Sequence, residues 1–210
     1  MRSFSKWSLC HFDTGAALPD ALITARVSLA ASEMPPEVAL LLPNAGGARD
    51  LLAGLDGHGV PGLGLFLADP NLVPARLSRQ IARHTGWVCN FPSVGQHEHE
   101  FRRYLSEVDL DHAREMRVLA DIRGPDLSTV ATVSALRDLD AALDAGPAAL
   151  LVVPPVPEFT SGTASLPARV ALERAIAERA GALPIIGLRG AHEPAEGLSA
   201  GLRPPETFSR

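Results

Sequence analysis

Residues Leu127–Val153, LSTVATVSALRDLDAALDAGPAALLVV, decide the fold class of this 210-residue chain. Leu127–Val133 and Ala148–Val153 are nearly continuous apolar runs, as expected of strands that are buried on both faces. Between them, Ser134 is placed to cap a helix whose apolar side chains fall on one face, and Gly146 is placed to end it. A strand, a helix and a second strand of this kind predict a parallel sheet covered by helices.

The same alternation continues in both directions along the chain. A helix from Asn71 to about His84, two helical pieces between Glu98 and Ala120, and a helix over Leu166–Gly181 separate the remaining strand candidates. Those candidates are Ala21–Val27, Val38–Leu42, Gly62–Ala68, Trp87–Phe91 and Pro184–Leu188. An eighth strand would have to come from the weak segment around Gly197–Gly201, or be missing.

Seven or eight such units predict an α/β fold, a TIM (β/α)8-like barrel with a parallel sheet and outer helices. Because a standard barrel needs about 250 residues, this one must be trimmed. An open doubly wound sheet would show the same alternation and stays an alternative. We expect residues 1–210 to form one domain, with residues 1–18 as an N-terminal extension and residues 191–210 as an irregular tail.

Composition excludes several classes of function. The net charge of −5 and the lack of a basic cluster beyond Arg102–Arg103 argue against a nucleic-acid partner. No apolar run reaches the roughly 18 residues of a membrane span, and the N-terminus lacks the features of a signal peptide. We therefore expect a cytoplasmic protein in which Cys10 and Cys89 are free thiols. Helix faces left uncovered by a trimmed barrel predict a homodimer or larger homo-oligomer.

Polar side chains at the ends of predicted strands are the candidate site residues, because in a barrel such residues point toward the site. Arg26 could clamp a carboxylate or phosphate, and Asn44 and Asn90 could bind carbonyl or carboxylate oxygens. Asp69 could move a proton. For Asn90 and Asp69, a role in the local turn alone is an equal alternative.

Two loops offer further candidates. The hydroxyl- and glycine-rich loop with Ser161 could bind an anion through its backbone N–H groups, or be a plain connection. His97 and His99 lack the spacing of a helical zinc pair, so we predict no metal site from QHEHEF. The sequence specifies no cofactor, and a divalent metal such as Mg²⁺ stays an alternative.

The segment DPNLVPARLSRQIARHTGWVCNFPSVG, with EFRRYLSEVDL and HAREMRVL after it, resembles the phosphoenolpyruvate-hydrolase-like family of TIM-barrel proteins. Family members carry Asn-Phe-Pro-Thr-Val-Gly where this chain has Asn90 to Gly95, which places Ser93 among the substrate-binding candidates. The Leu-Glu-Glu helix of the family aligns with Glu107 and makes it a candidate catalytic residue. The resemblance implies a barrel enzyme that acts on phosphoenolpyruvate-like compounds.

This chain departs from the family where the family carries histidines. Val153-Pro154-Pro155 follows the sixth predicted strand in place of a histidine, and Leu188-Arg189-Gly190 replaces His-Gly-Gly after the seventh. A general acid or base needs an ionisable group within hydrogen-bond reach, which proline does not provide.

Three functions follow. The first is a lyase, hydrolase or isomerase for a small carboxylate or keto-acid-like substrate, with Glu107 or Asp69 moving a proton. The second is a diverged family member of secondary metabolism, recruited to a tailoring or cyclisation step on a larger apolar metabolite, because an apolar site suits an apolar ligand. The third is a non-catalytic binding or scaffold protein.

Overall fold

The computed structural model describes residues 4–11, 18–25, 47–55, 57–97, 99–155, 164–190 and 192–203. Its strands are β1 (Phe4–His11), β2 (Ala21–Ala25), β3 (Leu63–Gly64), β4 (Trp87–Cys89), β5 (Ser128–Val133), β6 (Ala149–Val152), β7 (Ile185–Leu188) and β8 (Ala200–Arg203). Each strand pairs with its neighbours in chain order, and the eight strands close into a barrel.

The seven strands β2–β8 run parallel to one another. Strand β1 is antiparallel to both β2 and β8, so that Ser8 lies opposite Ala21 on one side and Arg203 on the other. Without β1, the outer edges of β2 and β8 would present unpaired backbone groups. The antiparallel strand is therefore what closes the parallel sheet.

Helices connect the parallel strands. In the described part of the chain they are α1 (Gly47–Gly54), α2 (Pro74–Ile81), α3 (His99–Glu107), α4 (His112–Ile122), α5 (Leu139–Asp144) and α6 (Leu166–Ala180). Two 3₁₀ turns, Val94–Gln96 and Leu136–Asp138, follow β4 and β5. None of the described helices has the length and the hydropathy needed to cross a bilayer.

Apolar side chains form two separate layers of core. The outer layer joins one face of the strands, including Leu63, Val88 and Leu150, to the helices. The inner layer contains strand and strand-end residues from the opposite face and no helical residue, as expected of a barrel interior. Its buried members are Leu22, Cys89, Phe91, Val130, Ala149, Leu151, Val153, Ile186, Leu188, Ala200 and Leu202.

The structure confirms the α/β fold, the parallel strands with outer helices, and the two helical pieces that become α3 and α4. The candidate strand Val38–Leu42 lies outside the described residues. Strand β1 lies in the segment expected to be an extension, and β8 lies in the expected tail. The sequence of β8, AGLR, has little strand character of its own, so pairing with β7 and β1 decides its conformation.

Two predicted helix caps are wrong. Helix α2 begins at Pro74 and not at Asn71, because Asn71 donates from its backbone N and its Nδ2 to the Asp69 carboxylate in a turn. Ser134 lies before a 3₁₀ turn and makes no cap, and α5 begins only at Leu139. In both places a turn with its own hydrogen bonds lies between the strand and the helix.

Candidate functional site

The end of β4 carries a fully buried polar network centred on Asn90. The Oδ1 atom of Asn90 accepts from the backbone N of Thr132 at 2.7 Å, which ties the loop to β5. Its Nδ2 donates to Ser93 Oγ at 3.3 Å and to Glu115 Oε2 at 3.2 Å. Both N–H donors and one of the two acceptor positions of the Asn90 amide are therefore used within the chain.

Glu115 of α4 is the acceptor at the centre of this network and is itself fully buried. Its Oε2 accepts from Ser93 Oγ at 2.6 Å, and both carboxylate oxygens lie 3.2 Å from the backbone N of Val94. Together with Asn90, three different groups donate to one carboxylate. Because charge-assisted hydrogen bonds are the stronger kind, Glu115 fixes the β4 loop to α4.

Ser93 and Gln96 give the loop its local shape. Ser93 Oγ accepts from the backbone N of Gly95 at 3.1 Å, while Gln96 Oε1 accepts from the backbone N of Ser93 at 2.8 Å. This reciprocal pair is a capping box, which satisfies backbone donors at the start of the 3₁₀ turn. The hydroxyl of Ser93 thus serves the turn and Glu115 together.

An ion pair adjoins the network. Arg102 of α3 holds Asp138 with a 2.5 Å contact between Nη2 and Oδ1, and also donates to the carbonyl of Gly95. His112 lies between Glu115 and the backbone of Asp138, its Nδ1 3.6 Å from Glu115 Oε2 and its Nε2 3.3 Å from the carbonyl oxygen of Asp138. Ionisable groups from three elements therefore meet beside the β4 loop.

The two buried histidines of this region have pKa values shifted in opposite directions. Burial lowers the pKa of His112, but the contact with Glu115 and the charges of Glu115 and Asp138 outweigh burial and the opposing charge of Arg102, so the net pKa is raised. Burial, with a smaller effect from the charge of Arg102, lowers the pKa of His97 to about 4. At neutral pH His97 is therefore uncharged.

Cys89 directly precedes Asn90 in the chain and belongs to the inner layer. Its Sγ is 3.4 Å from Thr132 Oγ1. Burial raises the pKa of the Cys89 thiol to about 12, the Thr132 hydrogen bond opposes that rise, and the charge of Glu115 adds to it. A thiol that stays protonated at neutral pH is a poor nucleophile. Cys89 is a free thiol, as predicted, whereas the side chain of Cys10 lies outside the described residues.

The residues at the ends of β6 and β7 have apolar side chains and charged side chains that pair within the chain. Val153 and Leu188 belong to the inner layer. Arg189, only 1 % exposed, forms two 2.6 Å contacts with the carboxylate of Glu173 on α6. The neighbouring Arg169 of α6 holds Glu193 in the same two-pronged way. An arginine stays protonated in proteins, so Arg189 cannot exchange a proton as a histidine would.

The structure brings only two of the predicted site residues together. Asn90 and Ser93 share the network described above. Asp69 is buried in its turn after β3, where Asn71 binds its carboxylate. Glu107, at the last residue of α3, is exposed, and it is Glu115 that contacts Asn90. The predicted residues Arg26, Asn44 and Ser161 lie outside the described residues.

Comparison with known proteins does not identify a family for this chain. No family model matches this chain. A search among curated proteins likewise finds no match. The resemblance to the phosphoenolpyruvate-hydrolase-like family accordingly stays a prediction from the residues that carry it. Within the described ranges, no three His, Cys, Asp or Glu side chains come together as a ligand set for a metal ion.

The sequence contained a signal for the central role of Glu115 that residue type alone does not give. The buried positions of α4 include His112, Glu115, Leu119 and Ile122, at spacings of three and four residues. A glutamate within such an apolar stripe must find donors in the interior. Nothing in the local sequence signals the pairing of Arg102 with Asp138, because it joins elements 36 residues apart.

Proposed function

We propose that this chain is a small-molecule enzyme, a diverged member of the phosphoenolpyruvate-hydrolase-like group on a trimmed TIM-like barrel, and that its substrate is largely apolar. Ligands of such barrels bind at the carboxyl ends of the strands. The observation that carries the proposal is the chemistry of those ends. Phe91, Val153 and Leu188 are apolar, while Glu115 and Arg189 are already paired inside the chain.

The apolar substrate is the better-supported alternative because a polar one needs free polar partners. A keto acid or phosphorylated acid whose oxygen accepts from Asn90 would have to displace the hydrogen bonds that Nδ2 donates to Ser93 and Glu115. Breaking buried hydrogen bonds without replacing them costs about 1–3 kcal/mol for each group. A tailoring or cyclisation step on a larger metabolite suits an apolar site.

A carboxylate or keto-acid substrate is the second candidate. It depends on Arg26, Asn44 and Ser161, all outside the described residues, and on proton transfer by Asp69 or Glu107. Of these two carboxylates, Asp69 lies in the loop between β3 and α2, whereas Glu107 is on the exposed end of α3. Asp69 is therefore the better placed of the two for chemistry at the strand ends.

Ligand binding separates these candidates. Thermal shift and native mass spectrometry would be run with 1-naphthol, 2-oxobutyrate and phosphoenolpyruvate. We expect 1-naphthol alone to stabilise the chain. Val153→Thr places a hydroxyl in the inner layer and should weaken 1-naphthol binding, whereas the matched Val133→Thr, in the outer layer, should not. Stabilisation by 2-oxobutyrate alone would favour the second candidate, and no binding of any probe would favour a scaffold.

We further propose that the chain assembles with itself through α3. Phe101, Tyr104 and Val108 are 42 %, 48 % and 62 % exposed, and α3 has no buried residue. Glu100 and Glu107 flank this face together with Arg103. A face with both charge signs beside an apolar centre can pair with a copy of itself about a twofold axis.

A further inference from the structure

A groove of about 390 Å³ lies on the outside of the barrel between α1 and α2, away from the inner layer. A smaller cavity of about 180 Å³ continues it along the same two helices and shares Arg49, Leu52 and Gln80 with it. The larger cavity is within the size range of small-molecule sites, roughly 300–1,000 Å³. The apolar substrate proposed above does not use this groove, and the second candidate function shares only Asp69 with it.

Three arginines line the groove and the smaller cavity that continues it: Arg49 lines both, Arg76 lines the groove and Arg83 lines the smaller cavity. Arg49 comes from α1, and Arg76 and Arg83 lie in or just after α2. Among the described residues none of the three forms an ion pair or a side-chain hydrogen bond, whereas Arg102, Arg169 and Arg189 all do. The chain as a whole carries a net charge of −5, so three unpaired cations in one groove run against its average charge.

Among the described residues, Asp69 is the one acidic side chain that lines the groove. Its carboxylate accepts from the backbone N and the Nδ2 of Asn71 and lies buried in the turn. Asp50 neighbours Arg49 on α1 and does not line the groove. The described side chains that line the groove and the smaller cavity therefore carry more positive than negative charge.

The floor of the groove is apolar. Leu52 and Leu77 are buried beneath it, and Leu72 is half-buried beside them. Gln80 lies between the two cavities and offers an amide donor and acceptor. An apolar floor with cations at the rim suits a ligand that has an apolar body and an anionic head.

We propose that the groove between α1 and α2 binds a phosphorylated small molecule with an apolar body. Guanidinium groups match phosphate oxygens in two-pronged contacts. Three guanidinium groups carry more positive charge than one carboxylate needs for pairing, and they match the multiple negative charge of a phosphate or diphosphate. The groove meets the strand ends only at the turn after β3 that holds Asp69 and Asn71, and the proposal does not depend on the apolar substrate proposed for the inner layer.

The test is isothermal titration calorimetry on the full chain with geranyl diphosphate, geraniol and inorganic pyrophosphate as probes. Geranyl diphosphate should bind most tightly, because only it offers both the body and the head. Arg49→Gln and Arg76→Gln should each weaken its binding at least tenfold. Arg79→Gln, on the same helix but not on the groove, should change it less than twofold.

Three outcomes would overturn the proposal. If Arg79→Gln weakened geranyl diphosphate binding as much as Arg49→Gln does, the ligand would be attracted by basic charge in general. If geraniol bound as tightly as geranyl diphosphate, the arginines would contribute nothing to binding. Polyglutamate is the probe for an acidic macromolecule. If it competed with geranyl diphosphate and its own binding were lost in Arg49→Gln and Arg76→Gln, the surface would bind an acidic macromolecule instead. Val153→Thr should leave geranyl diphosphate binding unchanged, which separates this site from the one at the strand ends.

Discussion

Glu115 shows how much one side chain can decide about a loop. It accepts from Asn90, Ser93 and Val94, and no solvent reaches it. We expect Glu115→Gln to lower the free energy of unfolding by about 2–4 kcal/mol, because one carboxylate oxygen becomes an amide donor that faces other donors. Urea unfolding followed by circular dichroism would measure it.

Glu107→Gln is the control for that substitution. Glu107 is exposed at the end of α3, so its replacement should change the unfolding free energy by less than about 0.5 kcal/mol. Any loss of activity in Glu107→Gln could then be attributed to chemistry. Equal stability losses in the two variants would contradict the role given to Glu115.

His97 makes the fold sensitive to acid. Its folded pKa of about 4 lies below the usual value of 6.5, so between these two pH values the unfolded chain binds the proton more tightly. Stability from the neutral ring is complete above about pH 6.5 and is lost as the pH falls toward 4. The shift corresponds to a loss of up to about 3 kcal/mol.

His97→Gln should therefore lose less stability than the unmodified chain between pH 7 and pH 4.5, as measured by urea unfolding at each pH. His99→Gln, at the exposed start of α3, serves as the matched control and should follow the unmodified chain. Parallel pH profiles for all three proteins would show that His97 is not the residue responsible.

At the scale of elements, α6 and β7 are joined by a buried ion pair. Arg189 and Glu173 are 1 % and 5 % exposed, and a Cβ at Gly187 would clash with the Glu173 carboxylate. Arg189→Met should cost about 3–5 kcal/mol because it leaves a buried charge without its partner. Adding Glu173→Leu should restore most of that loss, since no unpaired charge remains.

The exposed pair Arg179–Asp140 provides the comparison. Its side chains are 48 % and 77 % exposed, so Arg179→Met should cost less than about 1 kcal/mol in the same unfolding experiment. If Arg189→Met cost no more than Arg179→Met, burial would not govern the strength of these pairs.

Elements with a strong pattern were predictable and those held by their neighbours were not. Helix α6 occupies Leu166–Ala180, within one residue of its predicted bounds, and β5 and β6 also lie within one residue of theirs. The sequence of β1, FSKWSLCH, interrupts its apolar residues with polar ones, and β8 contains a glycine. Their strand character comes from backbone pairing across the barrel, which a local pattern does not contain.

The candidate site was predictable only in part for the same reason. Asn90 could be placed at a strand end because the buried run Trp87–Cys89 stops there. Its partners Glu115 and Thr132 lie 25 and 42 residues away in the chain, and local periodicity cannot give that pairing. What the sequence could not show is that these contacts would occupy both N–H donors of the amide.

For the whole molecule, the exposed face of α3 predicts self-association. Size-exclusion chromatography with light scattering should give a dimer or larger assembly. Val108→Asp, in the turn directly after α3, should dissociate it, because a carboxylate within an apolar contact loses its hydration. Val73→Asp, a residue of similar exposure on another surface, should leave the assembly intact. A monomeric unmodified chain would exclude this proposal.

The antiparallel pairing of β1 with β8 affects how the barrel folds during synthesis. Strand β1 is the first strand of the barrel in the chain and β8 the last, yet His11 pairs with Ala200. Contacts between such distant residues form slowly, because closing a very long loop costs conformational entropy before the strand contacts can stabilise the chain. During synthesis the ring of strands therefore stays open until β8 has left the ribosome. Over that interval the edges of β1 and β7 that β8 will cover are the places where chaperones or other nascent chains could bind.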